Sequence, residues 1–378
     1  MASHGLPRIS KPKIKTEEAR IKELTKIKNY RELVDTAQAK IQKQEYSTET
    51  LGLTSKILTQ NPEYYTIWNH RRRILRGGLF TEDIDSTRNL ISNDLRFLVP
   101  LLREFPKCYW IWNYRTWLLQ ESNDRLPARV ARAFWLEELG LVSKMLTLDS
   151  RNFHGWGYRR LVVSQLESPA LNPASFEPQE EGTEGGENPE GASMTEEEFA
   201  YTRKMIVTDL SNFSAWHRRS KLIPRLLTER DASEETRQSF LNDEFRLIQE
   251  ALIDPYDQSL WFYHKFLMSN ILPPTSTGPT AIAPTSTSYH RVKLQQEIDN
   301  IRELLDDTED CKWAWEALVV YTMALQSSQG EGTGSGGKSS HGEIERELRG
   351  WIENLKRLDP MRIGRWEDLS AQGLRSTF

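Results

Sequence analysis

The segment Tyr65-Thr-Ile-Trp68-Asn-His-Arg71 recurs along the chain with a tryptophan at its centre. Three further copies share the pattern aromatic-x-x-Trp-x-x-Arg, and two more keep the tryptophan but change its neighbours. The six copies occupy residues 65–71, 109–115, 153–159, 213–219, 258–264 and 312–318. The steps between successive tryptophans are 44, 44, 60, 45 and 54 residues, so a base period near 44 is lengthened twice. A period in this range predicts a helical solenoid.

Helical geometry gives the motif a structural role. Residues three and four apart lie on one helix face, so the aromatic residue, the tryptophan and the arginine should form one stripe that stacked repeats can bury. We expect the tryptophan to fill the gap between helical pairs. The arginine should offer its fork to a carboxylate or to helix-end carbonyls of the next pair. The residues assigned to this structural repeat are Trp68, Arg71, Trp112, Arg115, Trp156, Arg159, Trp216, Arg219 and Trp261.

A second amphipathic segment lies between each tryptophan helix and the next. Residues 81–104 and 125–148 carry apolar side chains at intervals of three and four, which is typical of a helix with one buried face. Pro62, Pro106 and Pro255 are expected to open tryptophan helices, because the first helical position needs no N–H. We therefore predict an all-α fold, a right-handed α-α superhelix of about seven helical hairpins that resembles tetratricopeptide repeats.

The predicted domain organisation is a single helical-repeat domain over residues 1–378, with a flexible N-terminal arm at 1–15. Three stretches interrupt the pattern and are predicted to be disordered insert loops because their compositions cannot bury enough apolar surface: 167–195, 273–290 and 327–342. Ten glutamates and no Lys, Arg or Asp lie within residues 167–200. Removing them from a chain of net charge −4 leaves a body of net charge +6, which weakly favours an anionic ligand or partner.

Composition points to a cytoplasmic protein that crosses no membrane. Charged residues make up 28% of the chain, and no apolar run approaches the ~20 residues of a membrane span. The first residues lack the apolar core of a secretory signal. Two cysteines, Cys108 and Cys311, cannot build a disulfide framework, and the dispersed histidines predict no zinc site within this chain. We expect no nucleic-acid partner.

Candidate chemistry lies at the starts of two neighbouring tryptophan helices. Lys107 and Tyr109 precede Trp112, and Arg151 and His154 precede Trp156. A lysine, an arginine, a phenol and an imidazole near adjacent helix N-termini could hold a diphosphate and stabilise it as it departs. The alternative interpretation makes Tyr109 and the neighbouring Phe153 core rings, with the polar residues solvated. Repeat logic alone leaves both interpretations open.

The repeated blocks resemble those of protein prenyltransferase alpha subunits. Three of them, 152–160, 212–220 and 254–264, are most similar to the Rab geranylgeranyltransferase (type II) alpha subunit, in a form without immunoglobulin-like or leucine-rich-repeat domains. The resemblance covers roughly residues 1–325. It implies a crescent of hairpins around a beta subunit that holds a zinc ion and geranylgeranyl diphosphate.

The resemblance also implies roles for single residues. The lysine that contacts the diphosphate falls on Lys107, and the adjacent aromatic residue that lines the site falls on Tyr109. The Tyr-His pair of farnesyl-type subunits appears here as Phe153-His154, so the phenol is lost and the imidazole is kept. The glutamine with which those subunits read the substrate's end is replaced by Trp110, which fits a substrate presented by an escort protein.

The implied activity is transfer of geranylgeranyl to C-terminal cysteines of Rab GTPases by a heterodimeric enzyme. Lys107 is the expected catalytic residue, and Tyr109, Arg151 and His154 are expected to bind the substrate. Helices near residues 195–210, 233–253 and 290–306 are expected to face the Rab escort protein. His4 corresponds to a family histidine that can reach the partner's zinc in the resting enzyme, although a terminal histidine is more often solvated.

Two alternatives from other classes stay open at the level of sequence. One is a non-enzymatic tetratricopeptide-like scaffold, which should be stable as a monomer, whereas a prenyltransferase subunit should expose apolar surface without its partner. The other is the alpha subunit shared by farnesyltransferase and geranylgeranyltransferase type I.

Overall fold

The computed structural model describes residues 16–172, 193–272, 287–329 and 338–375. The chain divides into two compact units, Met1–Met194 and Thr195–Phe378. The first unit contains α1 (Glu17–Gln42), α2 (Thr48–Gln60), α3 (Tyr65–Ile74), α4 (Ile84–Glu104), α5 (Tyr109–Arg125), α6 (Ala128–Leu148) and α7 (Phe153–Leu166). The second contains α8 (Thr195–Thr208), α9 (Phe213–Glu229), α10 (Glu234–Ala251), α11 (Gln258–Met268), α12 (Thr287–Asp307), α13 (Lys312–Gln329), α14 (Lys338–Leu358) and α15 (Ile363–Arg375).

The predicted fold class is confirmed. Every extended element in the described ranges is helical, and after α1 the helices pair into seven hairpins, from α2–α3 to α14–α15. Within the first unit the tryptophan helices contact one another in chain order, α3 with α5 and α5 with α7. Within the second unit, α11 contacts both α9 and α13. Because the chain divides into two compact units, its organisation as a single domain stays a prediction.

Each tryptophan of the repeat is fixed by the same hydrogen bond. Its indole Nε1 donates to the backbone carbonyl six residues earlier, in the turn before its helix, at distances of 2.7 to 2.9 Å. The donors are Trp68, Trp112, Trp156, Trp216, Trp261 and Trp315. Trp366 in α15 makes a related bond of 3.2 Å to Asp359. The repeat therefore has a seventh copy that the spacing of the motif did not reveal.

The prediction for the prolines was wrong in its position and its reason. Pro62, Pro106 and Pro255 each lie three residues before their helices begin rather than at the first helical position. Their carbonyls accept the indole hydrogen bonds of the first, second and fifth repeats. These prolines shape the turn that presents an acceptor to the tryptophan.

Three arginines of the repeat bind buried carboxylates of the next hairpin. The Nε of Arg115 donates to Glu138 at 2.8 Å, and the hydroxyl of Tyr158 donates to the same carboxylate at 2.6 Å. The same arrangement joins Arg71 and Tyr114 to Asp94, and Arg219 and Tyr263 to Glu244. Each carboxylate thus links two successive tryptophan helices, which confirms the predicted use of the arginine fork.

The fifth repeat replaces the arginine with His264. Its Nε2 lies 3.1 Å from Glu297, and its Nδ1 lies 3.0 Å from the hydroxyl of Tyr321. Burial by itself would raise the pKa of Glu297, but the hydrogen bonds and charges of His264 and Lys293 outweigh it and lower that pKa. The position in the stack is kept although the residue types change.

The aromatic residue three positions before the tryptophan does not join the buried stripe. Tyr65, Tyr109, Phe153 and Phe213 are each the first residue of a helix, and about half of each side chain is exposed. A side chain in the first turn has no preceding turn to pack against, so it lies at the end of the stack. The predicted one-stripe pattern was therefore wrong at this position.

The predicted insert loops reach into ordered structure at their edges. Pro169–Leu171 form a short 3-10 turn, because the guanidinium of Arg132 donates to the carbonyls of Leu166 and Leu171, at 2.9 Å each. Helix α12 begins at Thr287, α13 ends at Gln329 and α14 begins at Lys338, so these helices extend beyond what composition indicates. The arm at 1–15, with His4, and the remainder of the inserts lie outside the described residues.

The two cysteines occupy equivalent positions just before α5 and α13. The Sγ atoms of Cys108 and Cys311 lie 3.6 and 3.1 Å from the carbonyls of Pro62 and Pro255, the carbonyls that also accept the indole bonds of the preceding repeats. Burial raises the pKa of Cys108 to about 11 and also raises the pKa of Cys311.

Both thiols should resist alkylation in the folded chain. Iodoacetamide reacts with the thiolate, which burial and a raised pKa suppress. We expect negligible labelling at pH 8 by intact mass, and two labels after denaturation in urea. Rapid labelling of the native chain would contradict this placement of the cysteines.

Candidate functional site

The turn before α5 carries Lys107. Its Nζ lies 3.9 Å from Oδ2 of Asp149, and 45% of the side chain is exposed. An exposed pair at this distance is weak. Lys107 and Asp149 also line a groove of about 480 Å³ with Glu63, Arg103, Glu104, Phe105, Pro106, Cys108, Met145 and Leu148.

The start of α7 is tied to this turn by Asn152. Its side-chain oxygen caps α7 by accepting from the backbone N–H groups of His154 and Gly155, while its Nδ2 donates to the carbonyl of Pro106 at 3.1 Å. A cap of this kind typically contributes ~1 kcal/mol to helix stability. Here it also sets the distance between Lys107 and His154.

Three rings meet beside Lys107. The ring centroids of Tyr109 and His154 lie 4.2 Å apart in an edge arrangement, and those of Phe153 and His154 lie 4.0 Å apart. Tyr109 and Phe153 are 57% and 59% exposed, so the alternative that made them core rings was wrong. Burial and the positive charge of Lys107 lower the pKa of His154, which favours a neutral imidazole near pH 7. The structure thus brings Lys107, Tyr109 and His154 together.

Arg151 is exposed in the turn just before Asn152. Its place in the chain puts it near the start of α7, and its role towards a substrate stays a prediction. Sequence reasoning overlooked Asp149 and Asn152. Asn152 had a readable signal, because asparagine directly before a helix is a preferred N-cap residue. Asp149 had none, since its contact with Lys107 depends on how the two hairpins pack.

The proximity of Lys107 to His154 can be measured. Replacing Lys107 with alanine should raise the pKa of His154 towards its ordinary value of 6.5 without reaching it, because burial still lowers that pKa. The measurement is a pH titration of the imidazole ¹³C–¹H signal in histidine-labelled protein, assigned with His154→Gln. Lys144→Ala, which removes an exposed lysine from α6, should leave the signal unchanged. An unmoved His154 titration in Lys107→Ala would contradict the observed arrangement.

Comparison with known proteins places this geometry in a family. The profile of the protein prenyltransferase alpha subunit repeat matches residues 47–77, 91–122, 135–166 and 195–226. The geranylgeranyl transferase type-2 subunit alpha of Schizosaccharomyces pombe is 32% identical, over 98% of this chain and 98% of its own length. The chain belongs to the family of geranylgeranyl transferase type-2 alpha subunits. The Saccharomyces cerevisiae member is 33% identical over 98% of this chain and 99% of its own length.

A solved structure shows the same fold. Candida albicans protein geranylgeranyltransferase-I complexed with GGPP matches with a TM-score of 0.56, covering 92% of this chain and 91% of the other at 20% identity. The family profile stops at residue 226, yet Trp261 and Trp315 of this type-2 alpha subunit make the same indole hydrogen bond as the matched repeats. The later repeats have changed in sequence while keeping the contact that positions them.

Two further observations apply to the described part of this alpha subunit. None of its helices is long and apolar enough to cross a lipid bilayer. No three His, Cys, Asp or Glu side chains within these ranges come close enough together to hold a metal ion.

Proposed function

We propose that this chain is the alpha subunit of a heterodimeric, cytoplasmic type-2 geranylgeranyltransferase. The enzyme would transfer geranylgeranyl from its diphosphate to C-terminal cysteines of Rab GTPases, presented by an escort protein. The observation that carries the proposal is the cluster of Lys107, Tyr109 and His154 at two linked helix starts, in a chain whose full-length relatives are named as type-2 alpha subunits.

Exposed rings at the starts of the tryptophan helices support a catalytic beta partner. In the first unit Tyr65, Tyr109 and Phe153 are exposed, and in the second Phe213 is exposed. Large apolar side chains that recur at equivalent positions mark a protein interface more often than a solvated surface. We assign these rings to the beta subunit.

The chemistry follows from the charges of the cluster. Lys107 would neutralise the negative charge that builds on the departing diphosphate, and the hydroxyl of Tyr109 and the neutral imidazole of His154 could donate hydrogen bonds to its oxygens. In such an enzyme a zinc ion held by the beta subunit would keep the substrate thiol ionised near neutral pH. Cys108 and Cys311 are unsuited to that task, because their thiols are buried and used in repeat contacts.

Features of the surface favour the Rab type. Trp110 packs against Tyr65 with ring centroids 5.4 Å apart, so its indole is held in the position where farnesyl-type subunits carry a glutamine. Val207, Ile253 and Val292 are 70%, 85% and 66% exposed, and they lie at or near the three helices assigned by resemblance to the escort protein. Such exposed apolar side chains suit a second docking partner.

Reconstitution tests the proposal directly. The chain is co-expressed with the type-2 beta subunit of its own organism, and transfer of tritiated geranylgeranyl is measured on a Rab GTPase with and without escort protein. Escort-dependent transfer is expected. Transfer to a CaaX peptide without escort protein would favour the shared type-I alpha subunit, and a chain that stays monomeric and inactive with every beta subunit would favour a scaffold.

A further inference from the structure

A second cationic cluster lies at the C-terminal ends of α3 and α5, apart from Lys107. Arg76 and Arg125 both bind Glu121, whose side chain is only 2% exposed, and their Nε atoms lie 2.7 and 2.8 Å from its oxygens. The guanidinium of Arg76 also lies over the ring of Trp117, 5.5 Å from its centroid. Glu121 is therefore the carboxylate partner of two arginines in this region.

Arg72 is the third arginine of the cluster, and it has no carboxylate within ion-pair distance in the ranges the structure describes. Its Nη1 donates to Oδ1 of Asn69 at 2.8 Å, and its guanidinium lies over the rings of Tyr114 and Trp117, 5.2 and 5.6 Å from their centroids. Burial and the charge of Arg76 lower the pKa of Arg72. A partly buried cation that only rings and one amide stabilise is poorly compensated.

A second unsatisfied donor lies in the same place. Trp117 is 9% exposed, and its Nε1 is buried without an acceptor among the described residues. A buried N–H without a partner typically costs ~1–3 kcal/mol, so native proteins rarely keep one without a reason. The ring that carries this N–H is the one against which Arg72 and Arg76 both lie.

The fifth repeat shows how a cation four residues after the repeat tryptophan is compensated. Lys265 in α11 stands four residues after Trp261, as Arg72 stands four residues after Trp68. Its Nζ binds Oε1 of Glu316 at 2.8 Å, and Glu316 directly follows the tryptophan of the next repeat. The equivalent residue opposite α3 is Asn113, which carries no charge. The first repeat thus has the cation but lacks the carboxylate that the fifth repeat supplies.

We infer that Arg72 is the docking site for a carboxylate side chain of the catalytic beta subunit, an inference that rests on the function proposed above. A carboxylate matches the planar fork of arginine with two parallel hydrogen bonds.

The location favours the beta subunit as its source. Tyr65, Asn69 and Arg72 recur at steps of four and three, so they share one face of α3, and Arg76 follows in the π-helical turn Leu75–Leu79. Tyr65 begins that face, and it is one of the exposed rings assigned above to the beta subunit. Arg72 lies only about 10 Å further along the helix, within the same interface.

The test is the affinity of the full chain for the type-2 beta subunit. Arg72→Met keeps the apolar stem over the rings and removes the charge, and Arg73→Met removes an exposed charge one residue away. The dissociation constant is measured with fluorescently labelled beta subunit, and the thermal midpoint of each free chain is measured in parallel. We expect Arg72→Met to weaken the heterodimer about 30-fold or more, and Arg73→Met by less than about threefold.

The free chain separates docking from a structural role. Since Arg72 is poorly compensated without its partner, Arg72→Met should leave the thermal midpoint of the free chain unchanged or higher. Trp117→Phe removes the N–H together with part of the indole ring, and it should weaken the heterodimer by about two- to tenfold beyond any loss that its own thermal midpoint explains. A lower midpoint accompanying the loss of affinity would instead indicate a structural role for Arg72 and overturn the inference.

Other outcomes are equally decisive. Equal losses of affinity in Arg72→Met and Arg73→Met would indicate general charge attraction. An unchanged affinity in Arg72→Met would show that Arg72 is not a docking site. Weaker binding of geranylgeranyl diphosphate by an intact Arg72→Met heterodimer would assign the cluster to the lipid's anion. Each of these results overturns the inference while leaving the proposed function intact. Failure of the wild-type chain to bind the beta subunit would remove both.

Discussion

Replacing Arg115 with methionine is expected to lower the free energy of unfolding by about 3–5 kcal/mol, because it leaves Glu138 charged and buried without a cation. Arg115 and Glu138 are 3% and 4% exposed, and Arg115 also donates to the carbonyl of Leu95 at 2.8 Å. Within the described part of the chain, the hydroxyl of Tyr158 is the one remaining donor to that carboxylate. The measurement is the urea dependence of helical circular dichroism, with the midpoint compared between variant and wild type.

Two controls give this loss its meaning. Arg129→Met removes an exposed arginine from the first turn of α6 and should change stability by less than about 0.5 kcal/mol. Arg115→Met/Glu138→Leu removes both charges, and it should recover much of the stability lost in Arg115→Met because no unpaired charge remains. A midpoint for Arg115→Met that equals the wild-type midpoint would show that the carboxylate link does not hold the hairpins together.

Replacing Lys107 with alanine should reduce the turnover of the reconstituted heterodimer by about 10²–10³-fold, the usual consequence of removing one donor from a developing anion. The effect should fall on kcat, because the charge on the diphosphate oxygens grows as the bond to the lipid breaks. Single-turnover prenylation of a Rab GTPase measures that step without product release. Lys107→Arg should retain part of the activity because it keeps the charge.

The fold of the Lys107 variant is not at risk. Lys107 is nearly half exposed, and its ion pair with Asp149 is long, so the unfolding midpoint of the chain should stay unchanged. Lys144→Ala, which removes an exposed lysine from α6, should prenylate at the wild-type rate. A Lys107→Ala enzyme that also turns over at the wild-type rate would eliminate Lys107 as the catalytic residue.

The sequence predicted the packing of the repeat correctly at positions where a large side chain can be buried in only one way. The burial of the tryptophans was predicted correctly, because an indole that recurs at a period near 44 must be buried between hairpins. The binding of the repeat arginine to a carboxylate was also predicted correctly. The carboxylates themselves were missed although they follow a rule. An acidic residue precedes the next tryptophan by 17 or 18 residues at Asp94, Glu138, Glu198, Glu244 and Glu297. A pairing between residues so far apart in the sequence can be predicted only when the length of the hairpin is known.

The misplaced aromatic rings have one physical origin. The rings of Tyr65 and Tyr109 share a helix face with buried tryptophans, and periodicity counted them as core. Their position in the first turn exposes them, and exposure makes them available to a partner. Periodicity assigns a face to a residue, but only the boundary of the helix decides whether another turn covers it.

The sequence by itself determined the all-α class and the hairpin repeat, because these follow from spacing along one chain and from residue type, whereas the diphosphate-binding residues stay a prediction from the family resemblance. Tertiary structure decided that Lys107, Tyr109 and His154 meet, since the cap of Asn152 on Pro106 joins turns that lie 46 residues apart. It also decided that Arg72, among the residues the structure describes, lacks a carboxylate partner such as the one Lys265 has in Glu316. Charges are compensated through distances in space, which a one-dimensional period does not contain.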